Sequence, residues 1–247
     1  MRNQRKHYAA GYALEFVIFG IISALISLIL IIPMLNFDFP LPSVDVEAQP
    51  KYTIVIDAGH GGEDGGCEGN GLIEKDLNLD ISLRVASLLQ ASGVNVVLTR
   101  DTDVLLYDIN SDYKGHKKAQ DVRKRLEIAQ SCENPLLVSI HMNYYPQTQY
   151  SGLQIWYTKN EPTSKSLANL IQSNVKSALQ PNNKRTTKEA TSGIFLLHNA
   201  TFPAVLIECG FLSNKDEANA LGDAEYRQKL SEIIFKSIMD YISLNNS

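Results

Sequence analysis

The sequence predicts an α/β domain built on a mostly parallel β-sheet. Short apolar runs, the first at residues 52–56, alternate with longer segments whose apolar residues recur at helical spacing. Strand, helix, strand units of this kind favour parallel pairing, because the crossover between two parallel strands is long enough to hold a helix. In addition, His or Glu follows several of the predicted strands. Open α/β sheets place their functional sites at these carboxyl ends.

The helices of this domain are predicted from apolar residues that recur every three or four positions. In the first helix, which follows residue 76, Leu77, Ile81 and Val85 show this spacing. Gly93 then supplies a stop signal. The same periodicity predicts three further helices, at residues 119–130, 164–179 and 224–244.

The strands are predicted as short apolar runs bounded by glycine or polar residues. Besides residues 52–56, we expect strands at residues 94–98, 135–140, 152–158, 193–197 and 204–207. Residues 101–118 and 181–192 show no clear period and are predicted to be loops. Long loops in compact domains are often functional, so the first of these is of interest.

The N-terminal part of the chain is predicted to contain a membrane anchor. Residues 16–35 are mainly apolar, and such a length can cross the hydrocarbon core of a bilayer as a helix. Arg2, Arg5 and Lys6 precede this segment, and basic flanks stay in the cytoplasm. We therefore expect a cytoplasmic segment, a transmembrane helix, a linker and an extracytoplasmic domain at residues 1–15, 16–35, 36–50 and 51–247, respectively.

Two other interpretations of the apolar segment stay open. The apolar region of a cleaved signal peptide is usually shorter, and the only small-residue cleavage site, around Ala48, lies far beyond the run. A buried core helix would show a polar face, which this segment lacks. Residues 36–50 combine prolines and acidic residues without periodicity, as expected of a tether.

The charge of the chain argues against nucleic acid as a partner. The formal net charge is −4 at pH 7, and three of the cations lie in the N-terminal segment, so the domain has no basic footprint. Lys117, Lys118 and residues 123–125 form a local basic run. It is interpreted as a solvated helix face, with contact to an anionic polymer as the alternative.

The three cysteines do not predict a metal site. Cys67, Cys132 and Cys209 match no cysteine-rich zinc pattern. Cys67 and Cys209 lie beside candidate site residues, but both are interpreted as small buried thiols.

Four side chains at or near strand ends predict a metal site instead. His60, His141 and Glu208 follow predicted strands, and Glu74 lies just before the first helix. A lone His in such a place is more often a hydrogen-bonded loop residue, but two His and two Glu together favour a metal. Catalytic zinc sites use three His or carboxylate ligands and leave the fourth position to water. From the residues alone, Glu74 and Glu208 cannot be separated into ligand and base.

The loop that carries His60 supports this prediction. Gly59, Gly61 and Gly62 allow backbone angles and close approaches that other residues resist. Asp57 has two interpretations. It could orient a ligating imidazole, since metal-bound His usually donates its other N–H group to an acceptor, or it could cap a turn.

Such a site is suited to amide hydrolysis. With His60, Glu74 and His141 as ligands of Zn²⁺, the water in the fourth position would have a pKa of roughly 7. Glu208 would take a proton from that water and pass it to the leaving amine.

Four ordered motifs lie at residues 57–62 (DAGHGG), 74–76 (EKD), 139–143 (SIHMN) and 207–214 (IECGFLSN). They resemble the motifs of the zinc-dependent N-acetylmuramoyl-L-alanine amidases of the amidase-3 family. The resemblance implies an αβα sandwich, with His60, Glu74 and His141 as Zn²⁺ ligands and Glu208 as the catalytic residue. It also implies that residues 51–247 are a zinc amidase catalytic domain.

Within the family, the chain resembles the amidases of endospore formers that act on spore cortex. The likeness lies in the N-terminal anchor, the absence of wall-binding repeats, and residues 117–125 and 193–199. It implies cleavage of the bond between N-acetylmuramic acid and L-alanine in cortex peptidoglycan, as a step towards muramic-δ-lactam. The expected location is the space between mother-cell and forespore membranes, and an activating protein is an expected partner.

Two positions depart from the usual family pattern, and other functions stay open. Cys209 stands where a small apolar residue is common, and Tyr144 follows Asn143 where many members have Ala. The alternatives are an inactive membrane-tethered peptidoglycan-binding protein, a vegetative cell-separation amidase and a metallopeptidase acting on another substrate. The sequence lacks His-Glu-x-x-His, which argues against the usual helix-borne metallopeptidase.

Overall fold

The computed structural model of the protein describes residues 52–107 and 116–245. The predicted cytoplasmic segment, membrane anchor and linker, residues 1–15, 16–35 and 36–50, lie outside these ranges. Among the helices that are described, none is both long and apolar enough to cross a bilayer.

The described residues form a six-stranded sheet and a small hairpin. The strand bounds are β1 Thr53–Ala58, β2 Glu68–Gly69, β3 Leu72–Ile73, β4 Val96–Leu98, β5 Pro135–Asn143, β6 Gln154–Tyr157, β7 Lys188–Glu189 and β8 Ala204–Phe211, with β2 and β3 making the hairpin. In spatial order the sheet strands are β4, β1, β5, β8, β6 and β7. Neighbouring strands pair in parallel except β6 and β8, which are antiparallel. The predicted α/β class with a mixed, mostly parallel sheet is therefore confirmed.

Six helices accompany these strands within residues 52–107 and 116–245, and all four predicted helices are among them. The first begins at Glu74, and the helix predicted from residue 119 begins two residues earlier. A short helix that the periodicity did not indicate follows β8, where Asn214 caps it by accepting the N–H groups of Asp216 and Glu217. The helix bounds are α1 Glu74–Ala91, α2 Lys117–Gln130, α3 Thr163–Ala178, α4 Phe195–Asn199, α5 Lys215–Gly222 and α6 Ala224–Asn245.

Helices cover both faces of the sheet. On β1, Ile54 and Ile56 belong to the larger apolar core, which also receives side chains from α1, α3 and α6. Val55, which points to the opposite face, packs in a second core with side chains from α2 and α4. Because β1 is buried on both faces, its apolar residues Ile54, Val55 and Ile56 follow one another instead of alternating with polar residues. The layers are helix, sheet and helix, as the family resemblance implied.

One predicted strand is wrong. The apolar run at residues 193–197 does not form a strand; it leads into helix α4, whose Leu196 and Leu197 are both buried in the second core. Successive residues of a strand point to opposite faces, so two neighbouring leucines that share one core fit a helical turn better. The edge strand is β7 instead, which lies inside the predicted loop at residues 181–192. Periodicity cannot assign an apolar run this short.

Candidate metal centre

The predicted site residues meet at the carboxyl edge of β1, β5 and β8. These strands are parallel neighbours, with Ala58 paired to Ile140 and His141 paired to Glu208. His60 lies two residues beyond the end of β1. The structure brings His60, Glu74 and His141 together, with donor atoms that lie within 4.8 Å of one another.

Glu74 lies between the two imidazoles. Its Oε1 atom is 3.3 Å from Nε2 of His60 and 3.0 Å from Nδ1 of His141. The two rings are 5.0 Å apart between centroids, at an interplanar angle of 78°. Burial alone would raise the pKa of Glu74, but hydrogen bonds and charge from His141 and His60 outweigh it and hold this pKa well below its ordinary value. Glu74 is therefore a carboxylate at neutral pH.

The three donors fit a metal ion of the zinc type. Two nitrogens and one carboxylate oxygen form a donor set used by catalytic zinc. Ligand atoms about 2.1 Å from zinc at tetrahedral angles lie about 3.4 Å apart, close to the separations of both imidazoles from Glu74. The loop is also shaped for this arrangement, since a β-carbon at Gly59 would overlap the imidazole of His141. One at Gly66 would lie 2.5 Å from Oε2 of Glu74.

Asp64 holds His60 from the side away from Glu74. Its Oδ2 atom is 2.8 Å from Nδ1 of His60, which leaves Nε2 facing Glu74. Burial alone would lower the pKa of His60, but hydrogen bonds and charge from Glu74 and Asp64 raise it to about 9 in the metal-free protein. Sequence reasoning missed Asp64. Its spacing of four residues from His60 within a glycine-rich loop was the available signal.

Asp57 does not contact either imidazole through a hydrogen bond. It is fully buried and accepts hydrogen bonds from Thr99, which follows β4, and from Arg125 and Ser139, on α2 and β5. Both interpretations of Asp57, as an imidazole acceptor and as a turn cap, are therefore replaced by a third. Its carboxylate joins three elements beneath the site.

The basic run on α2 is only partly a solvated face. Arg125 is 2% exposed and forms ion pairs with Asp57 and Asp121, so it is a buried residue of the domain interior. Lys117 and Lys118 pair with Glu63 and Asp64 of the His60 loop, at 2.7 Å in each case. Neighbouring carboxylates thus neutralise much of the charge of the basic run. One of them is Asp64, which also contacts His60.

Glu208 lies beside the three donors without joining them. It pairs with His141 across β5 and β8, and its Oε2 atom is buried with no hydrogen-bond partner among the described residues. Burial raises the pKa of Glu208 from an ordinary 4.5 to about 8; the charge of Glu74 adds to this effect and that of His60 opposes it. A buried polar atom without a partner is costly, so this oxygen is placed to form a hydrogen bond with a ligand.

The cysteines take no part in the donor cluster. Cys67, Cys132 and Cys209 are free thiols. Cys209 is fully buried in the larger core, as expected of a small buried thiol, whereas Cys67 is half-buried and packs against that core. Burial raises the pKa of both thiols above the ordinary range, so they stay protonated. Cys67 contributes through its backbone, whose N–H group donates to Oε2 of Glu74 at 2.8 Å.

The fold and the site together define a class: an α/β protein with a potential metal centre and an adjacent buried carboxyl at one sheet edge. The chain belongs to the N-acetylmuramoyl-L-alanine amidase family Amidase_3, whose family model matches residues 54–240. It is accordingly an N-acetylmuramoyl-L-alanine amidase that acts on peptidoglycan.

Relatives and solved structures agree with this assignment. The germination-specific N-acetylmuramoyl-L-alanine amidase of Bacillus subtilis (strain 168) is 38% identical over 192 residues, covering 77% of this chain and 79% of that protein. The structure of the CwlD amidase from Clostridioides difficile in complex with the GerS lipoprotein shares 39% identity and a TM-score of 0.73, covering 78% of this chain and 98% of that one. AmiC2 of Nostoc punctiforme has 30% identity and a TM-score of 0.67, with 79% and 99% covered.

The raised pKa of Glu208 predicts how the stability of the metal-free protein depends on pH. The folded state keeps the Glu208 proton up to about pH 8, whereas the unfolded chain releases it near 4.5. Folding therefore binds a proton between these values, and stability falls as pH rises through them. We expect Glu208→Gln, which cannot ionise, to become increasingly more stable than wild type from about pH 5 to about pH 8.

The measurement is the urea midpoint of chelator-treated protein across this range. Glu232→Gln is the matched control, since it removes an exposed carboxyl from α6. A constant difference between Glu208→Gln and wild type at every pH would contradict the prediction.

Proposed function

We propose that this amidase is a zinc hydrolase in which His60, Glu74 and His141 hold the metal and Glu208 is the catalytic residue. The observation that carries the proposal is the convergence of three donor atoms within 4.8 Å of one another, next to a buried carboxyl oxygen that has no partner. A zinc ion bound there would act as a Lewis acid and lower the pKa of a water molecule to about 7.

Glu208 moves the proton in this proposal. Hydrolysis of the amide breaks the bond between the lactyl carbonyl carbon of muramic acid and the nitrogen of L-alanine, and it adds the elements of water. Glu208 accepts one proton from water at its carboxylate and delivers it to the departing amine nitrogen. A general base works best with a pKa near the working pH, which the burial of Glu208 favours.

The proposed substrate is peptidoglycan of the spore cortex, and the reaction is a step towards muramic-δ-lactam. Two relatives support this finer assignment: the germination-specific amidase at 38% identity and the CwlD amidase at 39% identity. Both are matched over most of their length, 79% and 98% respectively.

We also propose a membrane anchor and a protein partner. Residues 16–35 have the length and apolar character of a transmembrane helix, with Arg2, Arg5 and Lys6 on the cytoplasmic side. The anchor would place the domain outside the cytoplasm, between the mother-cell and forespore membranes in a sporulating cell. The solved CwlD amidase is in complex with the GerS lipoprotein, which supports an activating protein partner for this chain as well.

The metal assignment predicts that two groups of variants lose different properties. His60→Ala, Glu74→Ala or His141→Ala should each lower the zinc content, because each removes one of three ligands. Glu208→Ala should keep the zinc and lose at least about 100-fold in turnover. Zinc per chain is measured after loading and gel filtration, and turnover by mass spectrometry of products from cortex-type peptidoglycan.

His198→Ala is the matched control for the histidine variants, since His198 is exposed on α4 and lies outside the donor cluster. Full zinc content in His141→Ala would contradict the ligand assignment. Undiminished turnover in Glu208→Ala would contradict the catalytic one.

The anchor predicts that the full-length chain stays with membranes and that external protease reaches its C-terminus. A matched variant, Leu25→Arg with Leu28→Arg, should leave the membrane, because each central arginine costs about 3 kcal/mol of insertion free energy. The measurement is membrane fractionation with protease treatment. A soluble wild-type species that begins near residue 49 would show cleavage and contradict an anchor.

The cortex assignment predicts a phenotype confined to spores. When Glu208→Ala replaces the wild type in a spore-forming host, growth and division should stay normal, while the cortex lacks muramic-δ-lactam and germination fails. Muropeptide analysis of purified spores checks this result, with Glu232→Ala as the control strain. Normal lactam content would contradict the assignment, and chains of unseparated growing cells would indicate a vegetative amidase.

A further inference from the structure

We propose that Arg100 and Arg125 are positioning residues that preform the metal centre by holding the backbone on both sides of its ligands. The inference rests on the proposed role of His60 and Glu74 as ligands, but its structural part concerns the protein without metal. Both arginines are almost fully buried, at 3% and 2% exposure.

Arg100 binds backbone carbonyls rather than carboxylates. It follows β4, and its Nε atom donates to the carbonyl of Ala58 at 2.8 Å. Its Nη2 atom donates to the carbonyls of Gly59 and Lys75, at 3.0 and 2.9 Å. Gly59 precedes His60 and Lys75 follows Glu74, so one guanidinium group joins the two segments that carry these ligands.

Arg125 reaches the same loop from α2. Its Nη1 atom donates to the carbonyl of Ala58 at 2.5 Å, and its Nη2 atom donates to the carbonyl of His60 at 2.7 Å. Its charge is neutralised by Asp57 and Asp121, at 2.8 and 2.7 Å. Three successive carbonyls, at residues 58, 59 and 60, therefore all accept hydrogen bonds from arginine.

The backbone at this point needs such support. His60 has φ of 61°, in the left-handed region that residues other than glycine seldom adopt, and such a conformation persists only where its surroundings fix it. Beyond the end of β1, carbonyl oxygens no longer accept hydrogen bonds from a neighbouring strand, so buried ones need other donors. Arginine suits this task because its planar fork offers five donors in fixed directions.

The consequence is a fixed separation between ligand atoms. With Gly59 and Lys75 tied to one guanidinium group, the backbone on either side of the contact between His60 and Glu74 cannot drift apart. Gly59 also packs against the imidazole of His141, so a shift of the loop would disturb the third donor as well. Neither arginine is a ligand, and both act through the backbone.

The test compares Arg100→Lys and Arg125→Lys with wild type. Lysine keeps the charge but offers donors from a single nitrogen, so it cannot span two carbonyl groups as the fork does. We expect the zinc dissociation constant, measured by chelator competition, to rise about 10- to 100-fold, as for other residues that orient metal ligands. At saturating zinc, KM for peptidoglycan should stay close to the wild-type value, because substrate contacts are intact.

Arg227→Lys is the matched control. Arg227 is a partly buried arginine of α6 that donates to Asp80 and to the carbonyl of Leu221, away from the His60 loop. The Arg227→Lys substitution should lower the thermal unfolding midpoint while leaving the zinc affinity unchanged. Wild-type zinc affinity in both Arg100→Lys and Arg125→Lys would overturn the proposal. An equal loss of zinc affinity in Arg227→Lys would also overturn it, since the effect would then follow global stability.

A second measurement needs no variant and covers the case in which these variants do not fold. In wild-type protein stripped of metal, the amides of Gly59 and Gly61 donate to the carbonyls of Ile140 and Asp64. If the arginines preform the loop, these amides should exchange with deuterium as slowly without zinc as with it. Protection that appears only when zinc is added would overturn the proposal. Absence of zinc binding by the wild type would refute the proposed function, whereas slow exchange of these amides in the metal-free protein would still support a preformed loop.

Discussion

The site depends on the in-register parallel pairing of β1, β5 and β8. Pairing of Ala58 with Ile140 and of His141 with Glu208 brings residues from three distant parts of the chain to one edge. A slip of one residue in β5 would turn His141 to the other face of the sheet. Burial of both faces opposes such a slip, because every residue of β1 is buried and alternate residues belong to different cores. The cores of the domain thus set the geometry of the site.

The buried carboxylate of Asp57, near the end of β1, stabilises this pairing next to the site. Asp57 accepts hydrogen bonds from Ser139 at 2.5 Å, Thr99 at 2.7 Å and Arg125 at 2.8 Å. Burial alone would raise the pKa of Asp57, but the charge of Arg125 and the Ser139 bond hold it below its ordinary value. One ionised group, three residues before His60, therefore joins β1 to β5, to α2 and to the segment that follows β4.

Two glutamates at this edge have opposite properties because their surroundings differ. Glu74 lies between two imidazoles and its pKa is well below the ordinary value, as suits a ligand. Glu208 is enclosed without a partner for Oε2, and its pKa rises to about 8, as suits a group that carries a proton. The amidase family to which the chain belongs cleaves an amide, and the departing amine must receive a proton. Environment, rather than residue type, separates the pKa values of these two carboxyl groups.

The sequence by itself determined the α/β class, the four main helices and the candidates His60, Glu74, His141 and Glu208, because periodicity and strand ends are local features of a chain. Only the tertiary structure decided what depends on distant neighbours. The run at residues 193–197 forms no strand but leads into helix α4, which is buried on one side. Arg125, which belongs to a basic run, lies inside the domain. The tertiary structure also assigned the imidazole contact to Asp64 rather than Asp57. Burial and partner choice are properties of residues far apart in sequence, and no local pattern encodes them.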